Sequence, residues 1–145
     1  MRILIVEDET LIAMVLTENL ERAGHDVVGP AATMTEALAL CEEVPPELAL
    51  LDINFRAGSD GVDIARALFA RWGVLSIFAS GQAMEARRAK DIAFGYIRKP
   101  YEAVTVLRSV EAAREIMRGG KLTGVPAGFE LFRAAEWLGS TRDPV

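Results

Sequence analysis

Leu48-Ala49-Leu50-Leu51-Asp52 is apolar at four successive positions and ends on an acid. A strand with one face in water alternates apolar and polar residues, so an unbroken run of this length reads as a strand covered on both faces. Ile3-Leu4-Ile5-Val6 repeats the pattern and runs into Glu7-Asp8, and Val74 to Ala79 repeats it again. Asp26 to Gly29 is a weaker strand and Tyr96-Ile97 marks a short fifth. Helical spacing fills the gaps. Ile12, Val15, Leu16, Leu20 and Ala23 form one stripe, stopped by Gly24. Thr33 and Glu36 stand at capping-box spacing before a helix that ends ahead of Pro45-Pro46. A third helix covers about Val62 to Trp72. A last one follows Lys99-Pro100, with proline placed in its first turn and a stripe of Ala103, Val106, Leu107, Val110, Ala113 and Met117. Strands buried on both sides and joined by helices imply a doubly wound α/β structure with five parallel strands.

The 145 residues fit one such domain, and 51% hydrophobic content supplies its core. A net charge of −5 argues against a broad nucleic-acid footprint. The opening apolar run is too short for a secretion signal, and no run approaches the roughly 20 residues that span a bilayer. A single cysteine, Cys41, lies in an apolar helical pattern and reads as a small buried residue in a reducing compartment. These features predict a cytoplasmic protein.

In an open α/β sheet, ligands bind beyond the carboxyl ends of the strands, where the strand order reverses. The residues at those ends are Glu7-Asp8, Asp52, Ser80 and Lys99; Pro30-Ala31 after the second strand offers no chemistry. Singly, each has a plainer reading. Asp8 fits a helix cap, Asp52 a turn acid, Ser80 a loop hydroxyl and Lys99 a solvated charge. Together they place three carboxylates and one ammonium in one crevice. The uncompensated negative charge must push a carboxyl toward its neutral form or bind a cation. Oxygen ligands with room for water suit Mg2+. A carboxylate is a known covalent phosphate carrier, and a metal, a lysine and a hydroxyl around it suit phosphoryl transfer.

With these residues placed, the chain resembles the receiver domain of response regulators in two-component signalling. The resemblance covers about Met1 to Arg118 and rests on Ile-Leu-Ile-Val-Glu-Asp, Leu-Leu-Asp-Ile-Asn, Phe-Ala-Ser-Gly and Tyr-Ile-Arg-Lys-Pro, in that order. It implies a flavodoxin-like receiver fold and a phosphoacceptor domain rather than a conventional enzyme. Its partners would be a histidine kinase or histidine phosphotransfer protein, and an output protein that the sequence does not identify. By the same resemblance Asp52 accepts the phosphoryl group. Asp8 is a direct Mg2+ ligand, Glu7 an acidic position acting through metal-bound water, and Asn54 a backbone-carbonyl ligand. Ser80 matches the switch hydroxyl, Lys99 the invariant lysine and Tyr96 the switch aromatic. Two departures touch the switch. The interval from Ser80 to Lys99 is shorter than is typical and holds few bulky apolar residues beyond Met84 and Ile92. Phe-Ala-Ser-Gly-Gln also resembles the Phe-Ala-Thr-Gly subgroup of single-domain receivers, which departs from the common fourth helix.

A receiver-like interaction module working without phosphorylation is the alternative, opposed by the intact Asp8, Asp52, Ser80 and Lys99. A metal-dependent phosphatase would want an acid where Asn54 stands. Nucleotide binding finds no glycine-rich phosphate loop, and His25, the only histidine, reads as an exposed turn residue rather than a phosphocarrier. Residues 119–145 form a Gly-rich linker and then a short helix, about Ala127 to Leu138, which carries Phe129, Leu131, Phe132, Trp137 and Leu138. So short a helix must dock on protein: on its own domain, on the output protein or, as the slightly favoured reading, on a second copy in a homodimer.

Overall fold

The computed structural model describes residues 1–53, 61–120, 122 and 124–132. Five strands are β1 (Arg2–Val6), β2 (Asp26–Ala31), β3 (Leu48–Asp52), β4 (Ser76–Ser80) and β5 (Ala93–Arg98). The helices between and after them are α1 (Thr10–Arg22), α2 (Met34–Glu43), α3 (Gly61–Trp72), α4 (Ala83–Arg87) and α5 (Ala103–Met117). All five strands pair in parallel in the order β2-β1-β3-β4-β5, so the order reverses at β1 beside β3. This is the doubly wound sheet that the apolar runs imply.

Successive residues of each strand feed opposite layers. Leu4, Val6, Ala49, Leu51 and Phe78 pack with Ala37, Cys41, Ile64, Leu68 and Ala86 of α2, α3 and α4. Ile3, Ile5, Leu48, Leu50 and Ile77 pack with Leu16, Leu20, Val106, Val110 and Ile116 of α1 and α5. Cys41 is fully buried as expected, and burial pushes its thiol up to about 11. In β5 the register slips: Ser76 faces Ala93 but Ile77 faces Gly95. The extra residue turns Phe94 and Tyr96 to opposite faces, so Tyr96 joins the α4 side.

The structure differs from the sequence reading in three places. First, α5 begins at Ala103 with Glu102 as its N-cap, so Pro100 lies outside the first turn. The Lys99 amide donates to the Ser80 carbonyl at 2.9 Å, which keeps the chain in line with the sheet past the end of β5. Second, His25 is buried. Its Nδ1 lies 3.2 Å from the Met1 amine and its Nε2 3.5 Å from Glu111 Oε1.

Third, residues 127–132 are not helical. Ala127 and Gly128 form a turn, and Phe129–Leu131 is a sixth strand, β6, antiparallel to β5. Pairing with the open edge of β5 satisfies backbone groups along the strand, and Phe129 and Phe132 become buried on their own domain. Residues 133–138 of the expected helix lie outside the described residues. Close approach of β6 depends on Gly95, where a Cβ would overlap the Glu130 carbonyl oxygen and press on the Phe129 ring. Among the described residues no helix is long and apolar enough to cross a membrane.

Candidate phosphoacceptor site

The site is built at the reversal of strand order. β1 ends at Val6 and β3 at Asp52, with Val6 paired to Leu51, so Glu7 and Asp52 emerge side by side. The Glu7 amide donates to the Ala31 carbonyl of β2 at 3.0 Å, which fixes the turn out of β1. Asp52 is held from the other side. α3 begins so close to it that a Cβ on Gly61 would stand 2.6 Å from the Asp52 carbonyl oxygen, so only glycine fits there.

Glu7, Asp8 and Asp52 each offer a carboxylate oxygen, and these oxygens lie within 4.8 Å of one another. Glu7 and Asp52 are buried and Asp8 is half-buried. Lys99 Nζ reaches Asp52 Oδ1 at 2.8 Å. The carboxyl of Glu7 is pushed up to about 7, first by burial and then by the neighbouring charge of Asp52. One lysine thus leaves the cluster short of positive charge. An all-oxygen set with that deficit fits a hard divalent cation, and Mg2+ suits it. The helix-capping role open to Asp8 does not materialise: the N-cap of α1 is Glu9, whose own side chain caps nothing, while its amide donates to Glu7 Oε2 at 3.2 Å.

Ser80 closes β4 and is fully buried. Its hydroxyl donates to the Gln82 carbonyl at 3.0 Å and accepts from the Gln82 amide at 2.9 Å, so it holds the turn that starts α4. Lys99 follows β5 directly, in line with Ser80 through their backbone bond. Tyr96 is buried one strand out and packs on Phe132, with ring centroids 6.1 Å apart. The structure therefore gathers Glu7, Asp8, Asp52 and Lys99 into one cluster, with Ser80 on the adjoining strand end. Asn54 lies outside the described residues. Sequence reasoning missed Tyr101. Its half-buried phenol is pushed up to about 12, by burial and then by Glu7, Asp52 and Glu9, and so stays neutral at the mouth of the site. Its place just past Lys99-Pro100 was the available signal.

Residues 3–111 match the family model of the response regulator receiver domain. The transcriptional regulatory protein PdtaR of Mycobacterium tuberculosis is 36% identical over 117 residues, covering 77% of this chain and 56% of the relative. The phyllosphere-induced regulator PhyR of Methylorubrum extorquens is 46% identical over 77 residues, covering 52% of this chain and 29% of its own. The chain thus spans about half or less of these two relatives. Among solved structures, a CheY-like response regulator receiver domain protein from Methanospirillum hungatei aligns with TM-score 0.66 and 32% identity, covering 76% of this chain and 90% of that one. The receiver domain of PhyR from Erythrobacter litoralis aligns with TM-score 0.69 and 29% identity, covering 86% and 95%. With the acid cluster at the strand reversal and the family match over the same elements, the chain belongs to the response regulator receiver domain family of two-component signalling.

Proposed function

We propose that the chain is a phosphoacceptor switch in which Asp52 takes a phosphoryl group from the phosphohistidine of a histidine kinase or histidine phosphotransfer protein. A carboxylate oxygen of Asp52 attacks phosphorus as the P–N bond breaks. The bonding pair returns to the imidazole, which takes up a proton. Glu7, Asp8 and Asp52 would hold Mg2+, with the Asn54 carbonyl as the further ligand that the family position implies; when bound, the ion offsets charge on the transferring group. Lys99 is already in contact with Asp52 and is placed to hold a phosphoryl oxygen. Ser80 and Tyr96 carry the arrival of that group outward, to an interaction with an output protein.

The observation that carries this reading is the 2.8 Å contact of Lys99 with an acid buried between two further carboxylates. A strand-end acid serving only as a turn residue has no need of such company. Incubation with a small phosphodonor and Mg2+, followed by intact-mass measurement, tests it. One phosphate adduct is expected on the wild type, and none on Asp52→Ala or in excess chelator. An adduct that survives either change overturns the assignment.

A further inference from the structure

We infer that the β6 segment, Gly128 to Phe132, is a strap whose docking opposes phosphorylation and which loosens when Asp52 is modified. This rests on the phosphoacceptor reading above. The segment is tied to the switch at three points. At one end the Arg98 amide, next to Lys99, donates to the Gly128 carbonyl at 2.8 Å. In the middle the Glu130 carboxylate meets Arg87, the last residue of α4, through two bonds of 2.9 and 2.6 Å. At the far end Phe132 is buried against Tyr96, and its amide donates to the Phe94 carbonyl at 2.9 Å. The strap therefore holds α4 and Tyr96 together.

The direction of the coupling follows from the one proton on Ser80. That proton is now given to the Gln82 carbonyl, and Gln82 is the N-cap of α4. A Ser80 hydroxyl that turns to donate to a phosphoryl oxygen on Asp52 must release the Gln82 carbonyl, which leaves the start of α4 held to Ser80 by the Gln82 amide alone. α4 has only five residues, and Met84 in it is 80% exposed, so little packing holds it in place. It shifts as a unit and takes Arg87 from Glu130. Coupling is reciprocal: if the modified state disfavours the docked strap, undocking the strap must favour the modified state by the same factor.

Amide exchange of residues 128–132 in the full chain, with and without beryllofluoride and Mg2+, tests this. The variants are Phe132→Ala, Glu130→Arg and the charge swap Arg87→Glu/Glu130→Arg. In the wild type the phosphoryl mimic should speed exchange of these amides by about fivefold or more. Phe132→Ala should exchange fast without it and bind beryllofluoride about fivefold more tightly. Glu130→Arg, a change on the surface that spares the core, should act in the same sense but more weakly, and the swap should restore wild-type behaviour. Exchange in the wild type that is unchanged or slowed, with the Asp52 adduct forming normally, overturns the strap and leaves the phosphoacceptor reading intact. Affinity for the mimic unchanged in Phe132→Ala also overturns it. If no adduct forms on Asp52, the functional reading falls and the coupling falls with it.

Discussion

Glu7 is buried beside Asp52, and both circumstances favour its neutral form, which places its pKa at about 7. A carboxyl that serves a cation through its bound water does so as the anion, so binding of Mg2+ beside Glu7 should expel that proton. Affinity should therefore climb through pH 7 and level off above it. Below pH 7 it should fall about tenfold per pH unit for one displaced proton. Calorimetric titrations at several pH values, in two buffers of different ionisation heat, read both the affinity and the released proton. Glu7→Gln should flatten the profile; a wild-type profile already flat would count against the coupling. Lys99 and Asp52 invite a second comparison. In metal-free buffer Asp52→Asn removes one of three crowded carboxylates, whereas Lys99→Ala removes the cation in contact with them. The first should raise the melting temperature. The second should lower it, by about 1–3 kcal/mol of stability, because a buried acid loses its charged partner. Shifts of the same sign in both variants would show that local repulsion does not govern the site.

The elements that sequence made legible are those whose pattern has one physical meaning. Leu48 to Leu51 and Ile3 to Val6 are apolar on both faces, and bounded by turn residues and joined by helical patterns they suit covered parallel strands. Placing those strands at once brought Glu7, Asp8 and Asp52 to one edge, and the short fifth strand, β5, added Lys99. β6 was not legible, because Phe129, Leu131 and Phe132 fit a short helix as well as a strand. The choice was made by a distant partner, the open edge of β5, and by Gly95, which lets the backbones meet. His25 was misread for the same reason: its cover comes from Met1 and α5, both remote in sequence. The face taken by Tyr96 likewise follows from the extra residue in β5, which leaves no mark in composition. Gly95→Ala tests the close approach directly. The added methyl should force β6 off β5, at about 1–3 kcal/mol of strain or lost pairing. Fast amide exchange confined to residues 128–132, with the other five strands protected, is the expected result; a protected β6 would show that the neighbours yield without cost.

Across the whole molecule, two buried titrating groups act on stability with opposite sign over the same pH range. Glu7 has a raised pKa in the fold, so its stabilising protonation is complete below the ordinary glutamate value and is lost as pH rises toward about 7. His25, near the opposite end of the sheet, has a lowered pKa because burial and the nearby amino terminus disfavour its charged form. Folding then costs more as pH falls through the ordinary histidine value near 6.5, where the unfolded chain gains a proton that the fold resists. Between about pH 5 and 7 the two contributions oppose each other, and the wild type in metal-free buffer should show a shallow dependence. Each variant unmasks the other group. His25→Asn should melt at higher temperature as pH drops from 7 to 5, and Glu7→Gln at lower temperature over the same interval. Mg2+ adds a third term, since a ligand held only by the fold stabilises it, by about 2.7 kcal/mol at a hundredfold excess over Kd. For a chain of this size that is a rise of very roughly 5–15 °C. The rise should be largest above pH 7, where Glu7 is ionised, and should shrink toward pH 5. Melting curves from pH 5 to 8, with and without Mg2+, measure all of it. Identical slopes in the two variants would mean that neither group carries the linkage, and the pH response would then belong to the exposed carboxylates.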